Sequence, residues 1–453
     1  MTVPTHHLGE WSLAADHQRA VVVTPGVAGY RSAVVTGALV VFTLTYLVIA
    51  SRQFRFVKLD RPAAVIVGGV AMVLIGGLPL ESALQAIDLH VVVLLLGVLV
   101  IAAYLQDAQF FRLAAYLVLT RARSARTLLF GLIFVAGALS ALLLNDTVCI
   151  VLTPLVVGVV VEAGLPTLPY LLALASAANV GGVISFSGNP QNMIVGAAAH
   201  GTIGFAQYLA LTLPVGVACL AANAWLIGWM FRKQLPAGRL ADRSPPKPAV
   251  DKVLAAKALL ALALFAGLAL AGVKLAGAAI CAAAILMVVA RRGARSVFAI
   301  VDWTLLLFFG GLFVIVAGVQ HAGVIDRLFH AIEPVIARGD AIGDLAFIAL
   351  VVIGSQIVSN VPLVIVAVAW VPHMPDPTWG FIMLAVASTL AGNLTLFGSV
   401  ANIIVMESAG PRGEIGFRRF LRYGGVIAVV DLVLAFAILG AERAIGVFGL
   451  LGL

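Results

Sequence analysis

The chain repeats itself. Asp88 opens DLHVVVLLLGVLVIAA, and 214 positions later Asp302 opens DWTLLLFFGGLFVIVA. At the same offset Asn145-Asp146 falls on Ser359-Asn360. With a small indel, GNPQNMIV (188–195) falls on GSVANIIV (398–405). An apolar chain built twice over has the form of a secondary transporter made from two structural halves. The repeat also picks out the polar segments that interrupt its hydrophobic helices.

The chain has 453 residues, 62% hydrophobic and 11% charged. No soluble domain of this length could cover such a surface, so the expectation is a multi-pass protein of the cell (inner) membrane. The apolar runs are long and continuous, which selects helices over the alternating strands of a barrel. Apolar segments near 32–50, 63–80, 88–105, 167–198, 206–231, 253–271, 274–290, 302–319, 378–405 and 423–440 give ten candidate spans. Two more stretches, 126–163 and 342–372, carry polar breaks and read as re-entrant hairpins. Each arm, at roughly 25 Å of helix, is also long enough to be a full span.

The net charge is +8, but the positive side chains sit in short loops, which reads as topology control rather than nucleic-acid binding. Arg52/Arg55/Lys58/Arg61, Arg121/Arg123/Arg126, Arg232 to Lys252, Arg291/Arg292/Arg295 and Arg412/Arg418/Arg419/Arg422 fall on one face, the expected cytoplasmic side. Both termini then face outward, and the two halves have opposite orientations. The expected division is a tail (1–31), a first half (32–231, with an extra helix 32–50 and the repeat 63–231), a linker (232–252) and a second half (253–453, with an extra helix 253–271 and the repeat 274–440). The fold class is therefore all-α, an inverted-topology repeat with about ten spanning helices, two hairpins and broken helices at the midplane.

Asp146 is the most informative residue. A carboxylate at mid-membrane costs about 2.5–3.5 kcal/mol on insertion scales. A chain keeps one beside a partner, a cation or a cavity. The plain alternative is a surface turn. As the single intramembrane carboxylate recognised in the sequence, Asp146 is the expected site of proton coupling, with Na+ nearby as the alternative. Asn145 and Thr147 flank it, and Ser359 and Asn360 stand at the matching place in the second half.

The second constellation is ASAANVGGVISFSGNPQ (175–191) with its counterpart ASTLAGNLTLFGSVAN (387–402). A segment carrying so many glycines and amides cannot face lipid, because its freed backbone groups would go unsatisfied. Asn179, Ser185, Gly188, Asn189, Gln191 and Asn192 are the candidate binding residues of the first break. Asn393, Thr395, Ser399 and Asn402 are those of the second. Gly-mediated helix packing explains Ser176 and Ser388 but not GNPQN. No Lys or Arg lies inside the runs that form this site. That suits a small neutral polyhydroxy solute or a lone cation better than a multiply charged anion. Cys149, Cys219 and Cys281 have no metal-ligand spacing, and no motif suggests ATP hydrolysis or covalent catalysis.

At these residues the chain resembles the ion-transporter superfamily of arsenite/antimonite permeases, sodium–proton antiporters and dicarboxylate carriers. It is most similar to the branch holding plant silicic-acid effluxers. The resemblance is carried by NDTVCIVLTP (145–154), PYLLALASAANVGG (169–182), GNPQN, SNVP (359–362) and ASTLAGNLTLFGSVANIIV (387–405). It implies alternating access, a site made by broken helices and hairpin tips, and uncharged substrates such as As(OH)3 and Si(OH)4. Sodium-coupled dicarboxylate carriers carry Ser-Asn-Thr signatures at both tips. Here Asn145-Asp146-Thr147 and Ser359-Asn360-Val361 stand instead. The expected function is proton-coupled efflux of arsenite, antimonite or silicic acid. The alternatives are a sodium-coupled anion or dicarboxylate permease and a Na+/H+ antiporter. The expected partners are a small inorganic solute, H+ (or Na+) and membrane lipid, with no nucleic acid, cofactor, metal centre or enzymatic activity. A homo-oligomer and a soluble ATPase partner are left open.

Overall fold

The aspartates that mark the repeat are helix caps. In a computed structural model, which describes residues 25–50, 60–236, 247–413 and 415–453, Asp88 Oδ1 accepts from the amides of His90 (2.9 Å) and Val91 (3.3 Å). Asp302 Oδ1 does the same for Thr304 (3.1 Å) and Leu305 (3.3 Å). Each meets the orphan N–H groups of a long apolar helix. Residues 1–24 of the expected tail, the basic residues Arg52, Arg55 and Lys58, and linker positions 237–246 lie outside the described residues.

Among the described residues the chain is helical, with no strand. The first half runs α1 (Pro25–Ala50), α2 (Arg61–Leu74), α3 (Leu80–Gln85), α4 (Leu89–Asp107), α5 (Phe110–Arg121), α6 (Ala125–Leu142), α7 (Asn145–Glu162), α8 (Thr167–Val183), α9 (Pro190–Ala198) and α10 (Phe205–Met230). The second runs, in the same order, α11 (Lys252–Leu270), α12 (Leu275–Ala290), α13 (Ala294–Phe298), α14 (Trp303–His321), α15 (Val324–Ile336), α16 (Ala341–Val358), α17 (Asn360–Ala367), α18 (Pro377–Ala391), α19 (Val400–Ser408) and α20 (Phe417–Ala444). A short α21 (Val447–Leu450) follows. Nine of these helices are long and apolar enough to cross a membrane. They include both arms of the first hairpin, α6 and α7, and the long arm of the second, α16. The expected spans 167–198 and 378–405 are each two helices joined by a break, α8 to α9 and α18 to α19.

α10 and its counterpart α20 run in opposite directions, as an inverted repeat requires. Phe231, just past the end of α10, stacks near Tyr423 at the start of α20, with ring centroids 4.7 Å apart. Gln207, at the start of α10, donates to the carbonyl of Leu451 beyond the end of α20. The ion pairs separate accordingly. Arg61–Glu407 and Arg292 with Asp107 and Asp251 lie at the ends expected to be cytoplasmic. Arg443 with Asp344 and Asp376 lies at the other. Asp340 caps α16 at that second face, where the Arg338 guanidinium and the Gly343 amide hold its carboxyl down to about 2.

The halves interlock. α4 packs against α11 and α12 of the second half, while α14 packs against α1 and α2 of the first. Small residues permit this. A Cβ added at Gly97 would lie 2.7 Å from the backbone of Ala279, so α4 and α12 touch almost backbone to backbone. Leu74, Trp225, Val288, Ile357 and Val433 remain exposed on the outside, where lipid would cover them.

Candidate functional site

Each broken helix carries its own repair. α9 begins at Pro190, whose missing N–H is no loss at a first helical position. Asn189 caps it, its Oδ1 accepting from the Asn192 amide at 2.8 Å. The freed carbonyls at the end of α8 are then met one by one. Asn192 Nδ2 donates to Gly182 O (2.8 Å), Tyr208 Oη to Val183 O (3.0 Å) and Thr212 Oγ1 to Ile184 O (2.8 Å). In the second half Asn402 Nδ2 donates to Gly392 O (2.7 Å) and Thr395 O (3.0 Å). Irregular backbone at this depth is tolerated because side chains satisfy it.

The two breaks cross, and their side chains bond across the halves. Asn179 Nδ2 donates to Asn402 Oδ1 at 3.1 Å, and its image is Thr389 Oγ1 donating to Asn192 Oδ1 at 3.1 Å. Ser399 Oγ donates to Asn179 Oδ1 at 3.0 Å, and its image is Asn189 Nδ2 donating to Thr389 Oγ1 at 3.1 Å. Within each image pair the residues are 210 positions apart in the sequence. Gln191 adds a longer bond to Thr389 at 3.4 Å. All these residues are buried. Among the described residues no buried polar side chain is a Lys, Arg or His.

The first hairpin tip joins this network. The Asn145 amide N–H donates to Gly188 O at 3.0 Å, and Asn145 Nδ2 donates to Asn179 Oδ1 at 3.3 Å. Asp146 is 4% exposed, so it is no surface turn. Its own N–H donates to Asn145 Oδ1 at 2.9 Å. Among the described residues nothing donates to its carboxyl, and it makes no ion pair. Ser185 ties the break to the same hairpin through Ala141 O. The second tip is built differently. Asn360 is buried but bonds only locally, to the Val361 amide and to Ser359. Contact with the second break falls instead to Gln356, which donates to Ala391 O (2.9 Å) and accepts from Thr395 Oγ1 (2.7 Å).

The expected residues Asn145, Asn179, Gly188, Asn189, Gln191, Asn192, Asn393, Ser399 and Asn402 therefore come together. Asp146 sits beside them, Ser185 and Thr395 brace the breaks, and Thr147, Ser359 and Asn360 stay outside the bonded network. Sequence reasoning missed Thr389, Gln356, Asn223 and Asp431. The last corrects an expectation, because Asp146 is not the single intramembrane carboxylate. Asp431 lies in α20 with 0% exposure, accepting on Oδ2 from Asn223 (3.1 Å) and Asn393 (3.4 Å). It stands in VIAVVDLVLAFA (426–437), an unbroken apolar run with no glycine, proline or amide to mark it. A lone acid inside a span was signal enough.

A cavity of about 530 Å³ reaches the outer side of the first break, lined by Asp88, His90, His200, Lys274 and Phe186 among others. Phe186 stacks on Tyr208 with ring centroids 3.9 Å apart. Asn192 donates to that tyrosine's hydroxyl at 3.2 Å. The stacked pair thus separates a polar vestibule from the crossing.

Residues 45–379 match the model of the CitMHS family, described as citrate transporter. The chain is 28% identical to the silicon efflux transporter LSI3 of Oryza sativa subsp. japonica, covering 82% of this chain and 89% of that protein. It is 23% identical to the putative transporter arsB of Dictyostelium discoideum, covering 85% and 88%. The crystal structure of the Alcanivorax borkumensis YdaH transporter, described as having an unusual topology, superposes with a TM-score of 0.56. That superposition covers 92% of this chain and 98% of the other at 16% identity, which is a likeness of fold alone.

Proposed function

The chain belongs to the CitMHS citrate transporter family of multi-pass membrane transporters, and we propose that it exports a small neutral metalloid hydroxide, arsenite, antimonite or silicic acid, in exchange for protons. The observation that carries this reading is the crossing itself. Donors and acceptors of the two halves are amides and hydroxyls bonded to one another, with no buried base among them. A polyhydroxylated neutral molecule can trade those bonds one for one, since each of its hydroxyls both donates and accepts. A citrate ion would need fixed positive charge to offset its desolvation. The names of the rice and Dictyostelium relatives point the same way.

Alternating access then has a physical basis. Opening either side parts one set of cross-half bonds, and bound solute replaces them. Asp146 has no hydrogen-bond donor and no counter-charge at the tip, so a proton or a cation must neutralise it when the site is closed. That requirement makes it the proposed carrier of the exchanged proton. Vesicles reconstituted with the protein and loaded with acid should accumulate arsenite or silicic acid as protons leave. Movement of neither solute, under a gradient that the vesicles hold, would sink the reading.

Sodium-coupled carriage of citrate or another carboxylate is the second reading. The family's description favours it, as do four helix N-termini, those of α7, α9, α17 and α19, starting at the breaks and hairpin tips. Sodium-dependent uptake of labelled citrate with no response to arsenite would select it.

A further inference from the structure

We propose that Asp431 is a second proton-binding site, built with Asn223 in the contact between α10 and α20 and joined to the crossing through Asn393. The inference rests on the transporter reading for its purpose, but not for its chemistry.

Asp431 stands midway along the 28-residue helix α20 and is fully buried. Its Oδ2 accepts from Asn223 Nδ2 at 3.1 Å and from Asn393 Nδ2 at 3.4 Å. Its Oδ1 has no partner. Nor has Asn223 Oδ1, also buried. Two adjacent groups, already bonded through one pair of atoms, thus each keep an unmet acceptor in a dry place, where such atoms are normally satisfied. One proton resolves both. On Oδ1 it turns the carboxylate into an acid whose O–H can donate to the Asn223 carbonyl while the amide N–H still donates to Oδ2. Acid and primary amide form a self-complementary pair. A hard metal cation would need six or more oxygens, and no group of three or more candidate metal ligands occurs among the described residues.

Among the described residues of the helices packed against it, no fixed charge stands near to hold the ionised form. On α10 the titratable side chains are Cys219, whose Sγ approaches Asp431 O at 3.6 Å, and Tyr208 toward the far end. α8 offers only Tyr170, bonded to Ala125 O, and α18 and α21 offer none. On α20 itself Arg418, Arg419, Arg422 and Tyr423 lie at one end and Glu442 and Arg443 at the other.

The connection to the crossing is direct. Asn145 donates to Asn179, Asn179 donates to Asn393 at 2.9 Å, and Asn393 donates to Asp431. Every amide in this line points its N–H toward the acid. An ionised Asp431 therefore fixes Asn393 through a charge-assisted bond and presents Asn393 Oδ1 to Asn179. Protonation makes that bond an ordinary one and loosens the clasp between the halves.

Infrared difference spectra of the purified full-length protein between acid and alkaline buffer test the chemistry. The expected result is a protonated-carboxyl carbonyl band that is lost in Asp431→Asn and retained in Asp146→Asn. In Asn223→Leu, where the amide partner is gone, the band should move to higher frequency. A spectrum unchanged by Asp431→Asn, or a band unmoved by Asn223→Leu, overturns the proposal. In vesicles, acceleration of arsenite or silicic acid movement by a pH gradient should be lost in both Asp431→Asn and Asn393→Ala. Acceleration that persists in Asp431→Asn overturns the coupling role. Where the wild type moves neither solute, the substrate reading falls, and the infrared arm still decides this one.

Discussion

The hairpin α6–α7 and its counterpart α16–α17 hold equivalent places in very different surroundings. The first is clasped. A Cβ added at Gly181 of α8 would lie 2.2 Å from the carbonyl oxygen of Gly137 in α6, so those helices touch through their backbones. Its tip bonds to the break through Asn145. The second hairpin lies at the rim. Ile342, Leu345, Ile353 and Ile357 of α16 are all exposed, and its tip asparagine bonds only locally. The acid sits on the tip bonded to the crossing, and the neutral Asn360, itself buried, sits on the tip that bonds only locally. The two tip residues are equally buried, so the tips differ in their bonding to the crossing and not in enclosure. At the crossing between the hairpins, two pairs of bonds remain images of one another.

The largest test exchanges the two tips. Asp146→Asn should abolish most gradient-driven transport, because an amide cannot take up and release the exchanged proton. Asn360→Ala should cost a few-fold at most. The double exchange, Asp146→Asn with Asn360→Asp, should not restore transport, because Asn360 itself makes no bond to the crossing. Recovery of gradient-driven flux in reconstituted vesicles would show that the tips are interchangeable and that a tie to the crossing does not decide where the acid works.

A smaller effect tests the clasp itself. Gly181→Ala forces a methyl into the Gly137 carbonyl and should cost about 1–3 kcal/mol, as overpacking does. Its image, Ala391→Gly, leaves the second crossing intact and should cost about 1 kcal/mol or less. Melting temperatures of the purified variants order the two. If Ala391→Gly melts lower, the first half is not the more tightly packed.

Much of this comparison could be read before any coordinates. The repeat, the breaks at GNPQN and its partner, and the burial of Asp146 all follow from polar groups placed where lipid cannot satisfy them. The cross-half bonds were legible only in part. Asn179, Asn192 and Asn402 announce themselves as amides in apolar helices. Thr389 does not, because a threonine in a helix can bond its own carbonyls and needs no partner. Interlocking of α4 with α12 and of α14 with α2 was invisible, since contacts between remote apolar faces leave no local pattern. Asp431 is visible as the one acid in its apolar run, but nothing local ties it to the breaks. Its helix has no break, and only its neighbours Asn223 and Asn393, far off in sequence, show that it belongs to the crossing.

The smallest effect concerns the backbone of the rim hairpin. Ser359 links α16 to α17 at φ 67° and ψ 161°, a region that suits glycine and costs other residues about 1–3 kcal/mol. At the first tip Leu143 and Leu144 are both in ordinary extended conformations. Strain is thus confined to the hairpin that packing holds less firmly. Ser359→Gly removes the Cβ clash but adds the entropy that glycine loses on ordering, about 0.5–1 kcal/mol. The net should be a stabilisation of about 1 kcal/mol, read as a rise in melting temperature of a few degrees. If the strained link helps the rim hairpin leave its closed position, the same variant should transport a few-fold more slowly while melting higher. A variant that melts lower than wild type would place no strain at this link, and the rim hairpin would then differ from the clasped one in packing alone.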